Sequence, residues 1–161
     1  MIPMRPGPDF EQIAGEALGG VLATRFKLNP VPVSLDEIPE APGDVLWMTS
    51  SVNLEGTQAH GSVHLQISES LLERINESLG DCSHEPSARE SELADLAGEL
   101  CNMVAGRIGA GLAAAGHLFT MGTPTVLRGR GPEAGSGADK WGSHTGWTCG
   151  GGTVILTIRI Q

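Results

Sequence analysis

The chain has 161 residues, 19 acidic against 10 basic side chains, a formal net charge of −9, and only 4% aromatics with no Tyr. That length suits one domain, spanning 1–161 behind a flexible N-terminus over 1–8, whose core is built from Leu, Val, Ile, Ala and Met without metal or disulfide support. The charge argues against nucleic acid and anionic membrane surfaces as partners, and no segment approaches the ~20 apolar residues of a membrane helix.

Three widely spaced cysteines, Cys82, Cys101 and Cys149, fit neither a disulfide framework nor a zinc pattern, which points to a reducing, cytoplasmic setting. Met1 to Pro8 holds three prolines and no apolar run, so it does not read as a signal peptide.

Asp9 to Thr24 is predicted as a helix. Its apolar residues follow helical spacing, and Asp9 with Gln12 three places on can cap its start. Gly19 and Gly20 each weaken it by ~1 kcal/mol relative to Ala. Residues 29–44 contain Pro30, Pro32, Pro39 and Pro42 and read as a loop or edge segment. Val45 to Leu54 is a strand, with a turn at Glu55-Gly56. Thr57 to Ile67 is a second strand, because Ala59, Gly61, Val63, Leu65 and Ile67 alternate strictly with polar residues.

Ser70 to Leu79 is a short helix with Ser70 and Glu73 spaced as a capping box and Gly80 as its stop. A polar loop over Gly80 to Glu90 follows. Ser87 and Glu90 offer the same box to a long helix running to about Ala115 and ended by Gly116. Leu118 to Leu127 is short extended structure, and Arg128 to Lys140 a glycine-rich loop. Ser143 to Cys149 and Thr153 to Ile160 form a hairpin across Gly150-Gly151-Gly152. Hairpin connections predict an α+β fold, an antiparallel or mixed β-sheet with two long helices packed on one face.

The long helix carries two unlike faces. Leu93, Leu96, Ala97, Leu100, Val104 and Ile108 share one broad arc at 100° per residue, the core side. Glu92, Asp95, Glu99, Asn102 and Gly106 share a narrow arc opposite it, with Glu99 and Asn102 spaced i, i+3 as neighbours. Gly98, Gly106 and Gly109 flank this stripe and are expected to admit a close-approaching surface. The plainer reading is a solvated helix face.

Chemically, Asn does not titrate, but its amide offers a donor and an acceptor able to hold a water in line for attack. An ionised Glu accepts from an ammonium group. The pair is an incomplete active site, sensible only if a partner brings the phosphoryl group, the metal and a lysine.

These residues resemble a known family. Glu99-Leu100-Cys101-Asn102-Met103-Val104-Ala105-Gly106 is similar to the E-x-x-N-(M/I)-(I/V)-x-G segment of the CheC/CheX/FliY phosphatases. Val52 to Leu65 resembles that family's glycine-marked strand pair. Gly122-Thr123-Pro124-Thr125-Val126 resembles its Pro-centred strand, so the pattern covers about Asp9 to Ile160.

The resemblance implies a CheC/CheX-like fold and a phosphatase acting on phosphorylated CheY-like receiver domains. It implies that Asn102 orients the hydrolytic water and Glu99 contacts the receiver's lysine. The Mg²⁺ is bound by the receiver, and the phosphatase has no cofactor of its own. The first helix carries Glu16-Ala17-Leu18-Gly19, which has the acid but not the Asn, so one site per chain is expected, as in CheX. A homodimer through the sheet is implied as well. The alternative is a non-catalytic module of the same fold that dimerises or binds a receiver without turnover.

Other groupings are weaker. His60 and His64 share the polar face of one strand, a metal site only if a third ligand converged; His84, His117 and His144 lie in or near loops. The glycines ahead of Lys140 lack the Walker spacing. Arg128 and Arg130 form a short basic cluster that could meet an acidic partner but ordinarily sits in solvent. No Ser–His–Asp or Cys–His grouping follows from spacing.

Overall fold

The computed structural model describes residues 8–38, 46–80, 85–130 and 141–161. The expected flexible N-terminus (residues 1–7 of it), Pro39 and Pro42, Val45, the polar-loop residues that include Cys82 and His84, and the glycine-rich stretch 131–140 lie outside the described residues.

Helix α1 (Phe10–Phe26) starts as its sequence predicts, with the Gln12 amide donating to Asp9 Oδ1 at 3.1 Å. It runs past Thr24 because Lys27 takes a left-handed φ of 55° and lets the Lys27 and Leu28 amides close back onto Ala23 and Leu22. The proline-rich segment supplies a short edge strand, β1 (Val31–Val33), and a single 3-10 turn over Leu35–Glu37.

Strands β2 (Leu46–Glu55) and β3 (His60–Ser68) form a hairpin closed by the Gly56 amide donating to Ala59 O. Two further helices follow, α2 (Glu69–Ser78) and α3 (Pro86–Ala114). The chain closes with β4 (Thr120–Met121), β5 (Thr125–Arg130), β6 (Trp141–Cys149) and β7 (Gly152–Ile160). The last hairpin turns on two residues rather than three: Gly150 and Gly151 both have positive φ, 54° and 83°, the geometry that favours glycine in a tight hairpin.

Every strand pairing is antiparallel. The sheet order is β1-β6-β7-β3-β2-β4, with β5 pairing β2 further along the same margin as β4. The predicted segment over Leu118 to Leu127 is thus two edge strands, and β5 extends into what reads as loop.

Both predicted capping boxes are absent. Glu85 and Ser68 occupy the cap positions of α3 and α2, and neither side chain caps its helix. Pro86 opens α3, where its missing N–H costs nothing. Ser68 Oγ instead accepts from the Thr153 amide at 3.0 Å and ties α2 to β7.

One sheet face presents Met48, Val52 and Leu54, then Val63, Leu65 and Ile67, then Val154, Leu156, Ile158 and Ile160, to all three helices. The opposite face is polar apart from a small cluster of Trp47, Ile155 and Ile38, with Val33 and Leu35 packed on it, and the exposed Val31 and Leu127.

Candidate functional site

Helix α3 lies across the middle of the core. Leu93, Leu96, Ala97, Leu100, Val104 and Ile108, the arc read from periodicity, are all buried, and Cys101, Ala105 and Leu112 join them. The opposite side is open, with the side chains of Asp95, Glu99 and Asn102 exposed. Glu99 and Asn102 are separated by about 4.5 Å of helix rise and 60° of arc, so carboxylate and amide share one accessible patch.

Asn102 cannot turn inward, because the residue before it is anchored in the sheet. The Cys101 thiol faces Ser50 O at 3.5 Å and Val63 O at 4.0 Å. Burial pushes that thiol up to about 11, so it remains protonated and inert as a nucleophile.

The flanks of the stripe depart from expectation. Gly98 is buried by the protein itself, its Cβ direction pointing at Val126 Cγ2 (3.4 Å) and the Pro124 ring (3.9 Å). The close approach there is made by β5 and its leading loop. Gly106 looks toward Met121 Cε at 3.8 Å, and Met121 is 40% exposed. That half-open apolar side chain beside the stripe carries no signal in the sequence, since a two-residue strand has no readable period. Gly109 faces open space.

Glu92 belongs less to the stripe than its angle suggests, because Asn76 Nδ2 on α2 donates to its carboxylate at 3.2 Å. On the other flank, α1 and α3 enclose a groove lined by Arg25, Met103, Gly106 and Arg107.

The remaining candidates separate from the site. Arg128 does not wait in solvent for a partner: it grips Glu69 through two bonds of 2.8 and 3.0 Å and reaches Glu90 at 3.3 Å. The Glu69 hydrogen bond holds its guanidinium pKa above the ordinary value. The two ring nitrogens of His64 hydrogen-bond Ser51 and Ser62 at 2.9 and 2.8 Å, while His60 is exposed. Among the described residues, no three His, Cys, Asp or Glu side chains converge as a metal site. On α1, Glu16 is exposed and accepts from the Gln12 side-chain amide one turn earlier at 3.1 Å, while position 19, where the motif would place an Asn, is a glycine with nothing within 4 Å of its Cβ direction.

The family model described as chemotaxis phosphatase CheX matches residues 48–140, more than half of the chain and inclusive of Glu99 and Asn102. The chemotaxis protein CheX from Vibrio vulnificus is similar over 98% of this chain and 99% of its own, at 26% identity and a TM-score of 0.77. A CheC-like superfamily protein from Shewanella sp. PV-4 is similar over 95% and 97%, at 26% identity and a TM-score of 0.76. A chain of the CheX–CheY–BeF3–Mg²⁺ complex from Borrelia burgdorferi shares the fold at 16% identity and a TM-score of 0.64, over 95% of this chain and 98% of that one. No curated protein matches the sequence. Among the described residues, no helix is long and apolar enough to cross a membrane.

Proposed function

The chain belongs to the chemotaxis phosphatase CheX family, and on that premise we propose that it is a cytoplasmic, one-domain phosphatase for the aspartyl phosphate of a CheY-like receiver. Asn102 is the catalytic residue and Glu99 the docking residue. The observation that carries this reading is the joint exposure of Glu99 and Asn102 on one face of α3, backed by a helix face that is buried throughout.

The chemistry asks little of the phosphatase beyond placement. Water attacks phosphorus, the new P–O bond forms as the acyl phosphate P–O bond breaks, and the aspartate carboxylate leaves. The Asn102 amide accepts a hydrogen bond from that water and fixes its line of attack, a positioning role with no proton transfer to the side chain. Glu99 accepts from the receiver's lysine ammonium and sets the orientation of docking. The Mg²⁺ that neutralises the transferring group belongs to the receiver. The Borrelia burgdorferi protein crystallised with CheY, BeF3 and Mg²⁺ supports that division of labour. A homodimer through the sheet is part of the same reading, and light scattering of the purified chain tests it.

The deciding measurement is phosphate release from a phosphorylated receiver with Mg²⁺ and catalytic amounts of this protein. Asn102→Ala should return hydrolysis to the receiver's own rate. Because the side chain is exposed, its stability should change by less than about 0.5 kcal/mol. Full acceleration by Asn102→Ala would remove the residue from the mechanism. Binding without acceleration by the wild-type chain would make it a non-catalytic receiver-binding module.

A further inference from the structure

Helices α1 and α3 run antiparallel. Ile13 packs by Gly111, Arg107 crosses α1 at Gly20, and Arg25, in the last turn of α1, lines the groove with Met103. That groove opens beside the Glu99–Asn102 stripe: Met103 follows Asn102 in the chain, and Gly106 lies one helical turn beyond it on the same face. Two guanidinium groups therefore stand on one margin of the patch.

Three features define them. First, the chain has 19 acids for 10 bases, and Arg89 and Arg128 each meet carboxylates. Arg25 and Arg107, like Lys27 and Arg74, form no ion pair with a described carboxylate, although Glu16 lines the α1–α3 interface beside Arg107. Second, Arg107 has a seat: a Cβ at Gly20 would collide with its guanidinium, so a glycine that weakens α1 leaves room for that side chain. Third, both side chains are exposed.

We propose that Arg25 and Arg107 form a cationic rim that docks the acidic surface around the receiver's phosphorylated aspartate. This rests on the receiver phosphatase reading given above. An aspartyl phosphate is anionic, and a hard divalent cation beside it is held by further carboxylates, so the surface entering the groove is negative. A chain of net charge −9 repels such a surface at long range. Two arginines with no described ionic partner, at the contact, offset that repulsion locally and raise the rate of productive encounter, an effect that salt screens.

The test compares Arg25→Gln, Arg107→Gln and their double variant with the wild type, using the full chain and a phosphorylated receiver with Mg²⁺. Each single change should raise KM about two- to fivefold at low ionic strength, the span of an exposed charge contact, with the loss falling on KM rather than kcat. Between about 0.05 and 0.3 M salt the wild-type KM should climb and that of the double variant should stay level or fall, because screening also relieves the long-range repulsion. Gly20→Ala, which keeps Arg107 but removes its seat, should shift KM in the same direction by less. Arg74→Gln, the same charge change on α2 away from the groove, should leave KM near the wild-type value.

A double variant with wild-type KM and salt slope, while Asn102→Ala has lost turnover, overturns the rim and leaves the phosphatase reading intact. An equal KM shift in Arg74→Gln also overturns it, because net charge rather than position would then be at work. Failure of the wild-type chain to accelerate hydrolysis overturns the phosphatase reading, and the rim with it.

Discussion

Cys101 and Asn102 are consecutive in the chain and face opposite ways, the thiol toward two sheet carbonyls and the amide toward solvent. With its thiol pushed up to about 11, Cys101 holds only about one part in a thousand as thiolate at pH 8. Iodoacetamide at that pH should leave the Cys101 peptide unmodified in native protein and label it after denaturation, as read by mass spectrometry.

His144 titrates in the opposite sense. Partial burial and the neighbouring Arg159 charge lower its pKa below the ordinary 6.5, and its Nδ1 pairs with Thr157 Oγ1 at 2.7 Å. The folded state therefore prefers the neutral ring. Its stabilising contribution is complete above the unfolded pKa and is lost as pH falls through the lower folded one. His144→Gln should flatten the decline in stability between about pH 7 and 5 measured by urea unfolding, and a variant with the wild-type slope would exclude this group as its source.

At the level of helices and strands, α3 shows what a sequence can and cannot disclose. Its buried arc and its exposed Glu99 and Asn102 follow from a 100° period, because one helix face must meet the sheet whatever the rest of the fold does. The fates of Gly98 and Glu92 do not follow. Gly98 meets Pro124 and Val126, and Glu92 meets Asn76, partners chosen by tertiary packing. The capping boxes misled for a related reason. Pro86 began α3 a residue before Ser87, and Glu69 began α2 a residue before Ser70, so each predicted cap stands inside its helix.

Gly109 has open space where a Cβ would stand, and nothing in the structure explains it. Gly109→Ala should stabilise the protein by about 0.5–1 kcal/mol in urea titration through helix propensity. A loss of stability would reveal a constraint on that turn of α3.

For the molecule as a whole, the α+β class and the placement of helices on one sheet face were legible from alternation and hairpin signals, while strand order was not. Order depends on which strands meet across the centre. Here β3 pairs β7, a partner about ninety residues away in the chain, and no local pattern encodes such a contact. The split margin of β4 and β5 was equally hidden, since each piece is too short to show a period.

Those margins have a consequence of their own. On one side Pro32 sits in the middle of the three-residue β1, and on the other Pro124 interrupts the border between β4 and β5. Proline withholds an amide hydrogen, so an incoming foreign strand finds only brief ladders to extend, a safeguard against fibril growth. Replacing both prolines with valine should shorten the lag and raise the yield of thioflavin-positive aggregate on prolonged agitation. An unchanged time course would show that the borders are guarded by something other than proline.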